Sequence, residues 1–323
     1  MKQEIIKKKL KYLMLITIAL IIFYVFFDLN FANEKVLIYS LEKRIIKIIV
    51  MVIVAFCIGL ASLIFQSIIN NYIVTPCLLG MNSLYTLIHT MFVFILGSSN
   101  ILVTNNNLIF VVDLTIMTII SLFIYYFLFK KVNYNIIYIL LVGTLLTSFF
   151  TSIQNALVRV MDPNEYDSLL SKIVPSFNNI NTNIIALAII LIILIIYFLK
   201  EEIKKLDVIN LGKDIAINLG VDYNLELKKL LVGVVLLIAI ATALVGPISF
   251  IGLIIANLSR TLLKTYHHKY LIIGSIFFGI IVLVASQVIV ERMFNYSLPI
   301  SVFISIGGGI YFLFLLIQQK KVM

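Results

Sequence analysis

From Ile48 to Val112 the chain carries no Asp, Glu, Lys or Arg. A helix needs about 20 apolar residues to cross a bilayer, and roughly 17 at the least, so this run is far too long for one crossing. Asn70, Asn71, Thr75 and Pro76 interrupt it once; Gly97, Ser98, Asn100 and Asn105–Asn107 interrupt it again. It reads as two spans and the start of a third. Further uncharged runs are Tyr12–Phe27, Leu114–Phe129, Val132–Val158, Ile173–Leu199, Leu230–Ser259, Tyr270–Val290 and Met293–Gln319. Leu230–Ser259 holds one span and part of the next, divided at Gly246-Pro247. Pro suits the first turn of a helix, where its missing N–H costs nothing, so a new span is expected to begin there after a very tight turn. The pattern predicts an all-α integral membrane protein of about ten transmembrane helices in a single domain, 1–323. Composition agrees. The chain is 62% hydrophobic and 12% charged, with a mean hydropathy of +1.13, against about 45–50% and 25% for a soluble domain.

Ten spans put both termini on one side, and Lys and Arg choose the side. Most of the 25 Lys and Arg fall in segments that are internal if the N-terminus is cytoplasmic. These are the basic start before Tyr12, Lys130-Lys131, Lys200–Lys229, Arg260–Lys269 and Lys320-Lys321. Both termini are therefore expected in the cytoplasm. The net charge of +10 reads as a topology determinant and not as a nucleic-acid surface. The basic start and the apolar run to Phe27 resemble a signal peptide, but no small-x-small cleavage site follows, so an uncleaved first helix is expected.

Several chemistries are missing. No G-x-x-x-x-G-K-[ST] occurs; "NLGKDIA" lacks both the earlier Gly and the Ser or Thr, so ATP cannot be hydrolysed by a P-loop of this chain. Ion-coupled carriers place ionisable groups at membrane depth. Here Asp113 lies at the outer edge of its span and only His89 sits within one. His267-His268 are adjacent in a short cytoplasmic turn with Lys264 and Lys269, and no carboxylate is expected to accompany them, a poor metal site. Cys57 and Cys77 match no metal or disulfide spacing. No nucleophile–base set stands out. What remains is a passive helical pathway that needs an external energy source.

The one sizeable polar block is Lys200–Lys229, on the cytoplasmic side. Gly212 and Gly220 bracket about two helical turns, with Gly220 placed as a residue just past a helix end. Ile215 and Leu219 share a face at i, i+4, with Ile217 off it. Such a helix can lie on lipid, dock on a partner, or simply connect two spans.

Three stretches together resemble the FecCD-type permease family of type II ABC importers for iron-siderophores and vitamin B12. They are Leu211-Gly212-Lys213-Asp214-Ile215-Ala216-Ile217-Asn218-Leu219-Gly220-Val221, then Gly246-Pro247-Ile248-Ser249-Phe250-Ile251-Gly252-Leu253, and Gln66 through Asn70-Asn71 to Thr75-Pro76-Cys77-Leu78-Leu79-Gly80. Order and spacing match over essentially the whole chain. "FQSIINNYIVTPCLLGMNSLYTLIHT", "GLIIANL" and "GGGIYFLFLL" are similar to permeases for catecholate siderophores such as enterobactin and petrobactin.

The resemblance implies a pair of permeases, identical or related, over two ABC ATPase subunits that bind ATP, fed by an extracellular siderophore-binding protein. Iron would travel as a siderophore chelate, and no cofactor or metal would be held by this chain. Leu211, Gly212, Asp214, Ile215, Ala216, Leu219 and Gly220 would form the helix that couples to the ATPase. Outer basic residues Lys43, Arg44, Lys47 and Arg292 would receive carboxylates of the binding protein, for which bidentate Arg pairs are well suited. The stretch "SLEKRIIK" lacks the family's Pro and adds Glu42. Spans five and ten would line the pathway, with Thr144, Thr147, Ser148 and Thr151 on one face of span five. Hydroxyls there can equally bond their own backbone. Leu78–Gly80 and Tyr134–Ile137 would gate the cytoplasmic end. The other readings are a permease for cobalamin or haem, an ion-coupled secondary transporter, and a membrane enzyme. The setting is the cell (plasma or inner) membrane of a bacterium, with lipid as the surrounding partner.

Overall fold

A computed structural model describes residues 2–27, 34–131, 136–178 and 182–320. Seven helices are long and apolar enough to cross a membrane by length and composition: α1 (Lys2–Phe26), α2 (Glu34–Ile69), α5 (Asn106–Lys131), α6 (Ile136–Val160), α8 (Thr182–Ile209), α10 (Tyr223–Val245) and α12 (His268–Arg292). Three shorter apolar helices join them: α3 (Met81–Leu96), α11 (Ile251–Leu263) and α13 (Ile300–Lys320). The remaining pieces are α4 (Ile101–Thr104), α7 (Pro163–Ile173), α9 (Lys213–Asn218) and a 3-10 turn at Pro76–Leu79. No strand occurs among the described residues.

α2 is the axis. Its 36 residues rise about 54 Å, well beyond a hydrocarbon core of about 30 Å. Every residue from Val50 to Ile69 except Val52 and Phe56 is buried, and α8, α10, α11 and α12 pack around it. Lipid supplies no hydrophobic drive between helices, so close approach depends on small residues. Gly279 of α12 lies where an added Cβ would sit 2.8 Å from Ala55 Cβ, and one on Gly59 would sit 3.0 Å from Ser275 Oγ. Gly252 of α11 leaves the same kind of room for Ser62.

The break at Gly246-Pro247 is present, in a different form from the one expected. α10 ends at Val245 and α11 begins only at Ile251, so Pro247 lies outside both helices. Gly246 has φ 89° and Phe250 φ 63°, which takes the chain out of helix at both ends of the segment. Tertiary contacts hold it there. Ile248 is buried, Asn82 Nδ2 donates to Ser249 Oγ at 3.1 Å, and Ser176 N–H donates to the Val245 carbonyl at 3.0 Å. On its other side Phe250 packs against Gly308 and Phe312 of α13. α11 alone has 13 residues and rises about 20 Å, too little for a crossing. The sharp outer turn is therefore an extended five-residue insert between α3 and α13. Irregular backbone of this kind persists at membrane depth only inside protein or beside water.

Candidate functional site

Lys43, Arg44 and Lys47 lie in the third and fourth turns of α2, which begins at Glu34, and Arg292 is the last residue of α12. Arg44 Nη1 donates to the carbonyls of Tyr24, Val25 and Phe27 at 3.2, 2.8 and 2.7 Å. These carbonyls end α1 and have no helical partner. Arg292 Nη2 donates to Phe27 O at 3.1 Å and stacks over its ring. Lys47 Nζ pairs with Glu291 Oε1 at 2.8 Å, an oxygen that also accepts from Tyr24 and Gln287. One corner thus joins α1, α2 and α12. Lys43 is exposed and sits 5.7 Å above the Tyr39 ring.

At the opposite end of α8, α9 covers Lys213–Asn218, with Leu219 as its C-cap. Gly220 follows at φ 82°, its N–H on the Ile217 carbonyl, while Val221 N–H reaches the Ala216 carbonyl. This is the paired closure that a glycine past a helix end permits. Ala216 is fully buried, whereas Leu211, Ile215, Ile217 and Leu219 are all about half exposed or more. Ile217 thus joins the outward face it was expected to miss. Asp214 is exposed in the first turn. Lys205–Glu226 at 2.6 Å and Lys229–Glu202 at 2.8 Å clamp α8 to α10, presenting the segment between them.

α6 carries the predicted hydroxyls. Thr144 and Ser148 are exposed, together with Ser152 and Asn155; Thr147 and Thr151 are half-buried. Thr144, Thr147 and Thr151 each donate to a carbonyl of their own helix. That internal bond lets a hydroxyl stand at membrane depth without a partner. Thr151 also reaches Ser83 Oγ of α3 at 3.5 Å. Of the expected gate, Tyr134 lies outside the described residues. Leu79 closes the 3-10 turn and packs against Gly143 of α6, where any Cβ would strike it.

Two polar associations carry no local sequence signal. His89 Nε2 lies 2.7 Å from Asp113 Oδ2, both buried, with the Tyr85 ring 4.5 Å from the imidazole. His267 and His268 do have a carboxylate, contrary to the sequence reading. Asp207 of α8 accepts His268 N–H at 2.9 Å and contacts both imidazoles, while His268 Nε2 meets Ser67 Oγ of α2 at 2.6 Å. Helix ends from α2, α8 and α12 are joined there, close to α9.

Comparison with known proteins gives a family from sequence and a matching fold from structure. The model of the FecCD transport family matches residues 10–318. The petrobactin import system permease protein YclO of Bacillus subtilis (strain 168) is 39% identical, over 98% of this chain and 99% of that one. The petrobactin import system permease protein FatC of Bacillus anthracis is 33% identical, over 86% and 79%. In three dimensions the fold is similar to that of an inward-facing metal-chelate type ABC transporter, with TM-score 0.76, 20% identity and coverage of 96% and 99%.

Proposed function

Because the chain belongs to the FecCD transport family, we propose that it is the membrane permease subunit of an ATP-driven importer that carries a ferric siderophore of the catecholate class into the cell. The observation that carries this reading is the near full-length match to two permeases named for petrobactin import. The chain is a multi-pass protein of the bacterial cell membrane and a transport subunit, not an enzyme.

The seven long helices, α3, α13, and α11 with its extended lead make ten crossings of one domain, 1–323. Both ends and the 200–229 segment face the cytoplasm. Leu211, Ile215 and Leu219 present an apolar knob to an ABC ATPase, with Gly212, Asp214, Ala216 and Gly220 setting its shape and ends. A second permease, a copy or a relative, lies against α6 and α13. This is supported by their exposed stripes, Thr144, Ser148 and Ser152 on one, Ile306, Ile310 and Leu313 on the other. The Thr144 hydroxyl donates within its own helix, and facing a shared pathway the stripe can also meet water and the chelate. An uncharged hydroxyl wall lets a bulky anionic complex pass without holding it. Lys43 is the outer cation most available to a binding protein, while Arg44, Lys47 and Arg292 shape the corner that presents it. The binding protein selects the ligand, so a cobalamin or haem permease would share this architecture.

Reconstitution tests the reading. The permease pair, ATPase and binding protein in proteoliposomes should accumulate a ferric catecholate only with hydrolysable ATP, and an ionophore should have no effect. Accumulation that survives without the ATPase and collapses with ionophore would make it an ion-coupled carrier.

A further inference from the structure

A groove of about 680 Å³ opens beside α8 at the end of the bundle that carries α9, between α1, α2 and α12. Its depth is apolar, with Phe56, Leu60, Ile196 and Ile272 as walls. Its mouth is basic, with Lys200, Lys204 and Lys269 on the rim. Lys204 pairs with Glu201 at 2.7 Å, but Lys200 and Lys269 have no ion-pair partner among the described residues. The nearby carboxylate, Asp207, is engaged by His267 and His268. Three lysines at the mouth thus stand against two carboxylates, Glu201 and Asp207, which leaves the mouth a net positive charge. From Ile196 to Lys204 is about two turns of α8, roughly 12 Å along its axis.

An opening with cations at the headgroup level and an apolar trough beneath matches a phospholipid in both chemistry and length. We propose that this groove holds an anionic phospholipid of the cytoplasmic leaflet, its phosphate between Lys200 and Lys269 and an acyl chain along Phe56, Leu60 and Ile196. The leaflet rests on the topology proposed above; the lipid site itself does not. A second groove of about 360 Å³, between α8 and α10, serves as an internal contrast. Its Lys229 is neutralised by Glu202 at 2.8 Å, so it offers the trough without the charge. Occupancy of the first groove ties α8 to α12 next to the Asp207–His268–Ser67 chain, just before the segment read as the coupling helix.

The test uses the whole importer in nanodiscs of phosphatidylethanolamine with phosphatidylglycerol, followed by native mass spectrometry of the lipid retained. K200Q/K269Q should weaken phosphatidylglycerol binding about 30-fold, which is about 2 kcal/mol for two surface lysines. K228Q, an exposed lysine away from the groove, should leave it unchanged. I272W, which fills the trough and keeps the charge, should also lower retention. Unchanged phosphatidylglycerol in both altered grooves, or equal retention of phosphatidylethanolamine, overturns the proposal. So does loss of the ATPase in K200Q/K269Q with lipid retained, since the lysines would then serve protein docking. Separately, K200C is labelled with an impermeant maleimide in intact cells. Labelling from outside would overturn the topology while leaving the lipid result standing.

Discussion

α2 and α6 are both long apolar helices, yet 78% of the most apolar stretch of α2 is buried and only 17% of that of α6. α2 meets its neighbours through glycine, alanine and serine, and its polar groups in that stretch, Ser62, Gln66 and Ser67, are buried inside the fold. α6 turns hydroxyls and an asparagine outward at membrane depth. In water that difference would mean core against surface. In a bilayer an outward polar stripe has no good neighbour, so the difference sets α2 apart as scaffold and, on the function proposed above, α6 as the face toward the pathway. The same contrast holds for glycines. Gly279 is hemmed in by Ala55, while Gly307 and Gly309 of α13 have nothing within 4 Å.

Substitutions break this contrast in a ranked order. The largest effect belongs to the scaffold: Gly279→Leu overpacks α12 against α2 and should cost about 3 kcal/mol, read as lost membrane abundance and a lower Tm of the purified protein. A normal Tm would mean that α12 is not seated on α2 as described. Next comes the apolar knob. With Ile215 and Leu219 both changed to Asp, the chain should remain folded but no longer retain the ATPase on pull-down; retained ATPase would remove α9 from the docking surface. Changing Thr144 and Ser148 together to Leu should reduce iron uptake severalfold at normal abundance, whereas Leu145→Ile on the same helix should change nothing. Equal behaviour of the two would reduce the stripe to packing. The smallest effects lie at the outer corner. Lys43→Glu should weaken binding-protein affinity without altering Tm, while Arg44→Ala should lower stability by about 1–3 kcal/mol, since it leaves the α1 carbonyls unpaired. Identical profiles for the two would erase that division of labour.

Local pattern made much of this legible. The helical class followed from uncharged runs. The interruption at Gly246-Pro247 and the role of Gly220 followed from what glycine and proline permit. Of the hydroxyl face expected from the 3.6-residue period of α6, Thr144 and Ser148 are exposed, while Thr147 and Thr151 are half-buried. What escaped was tertiary. Pro247 sits outside a helix because Asn82, Pro175 and Gly308 surround the segment, and none of them is near it in sequence. His89 and Asp113, or Ser67, His268 and Asp207, meet only because helices bring them together. The bonds from Arg44 to the end of α1 escaped too, because nothing local reveals that α1 ends beside it. α7 escaped because its eleven residues fall between two uncharged runs and are too polar for a span. Its signal was there: Asp162 as N-cap, with its carboxylate accepting Asn164 N–H, and Pro163 in the first turn.

The central claim is import of a ferric catecholate, and uptake in cells tests it most directly. Iron-limited cells with and without the gene would be given radio-iron as petrobactin, as enterobactin, as a hydroxamate chelate and as haem. The account predicts that loss of the gene abolishes uptake of at least one catecholate chelate, with restoration by the intact gene, and leaves the hydroxamate and haem unaffected. Unchanged uptake of every catecholate chelate would contradict it.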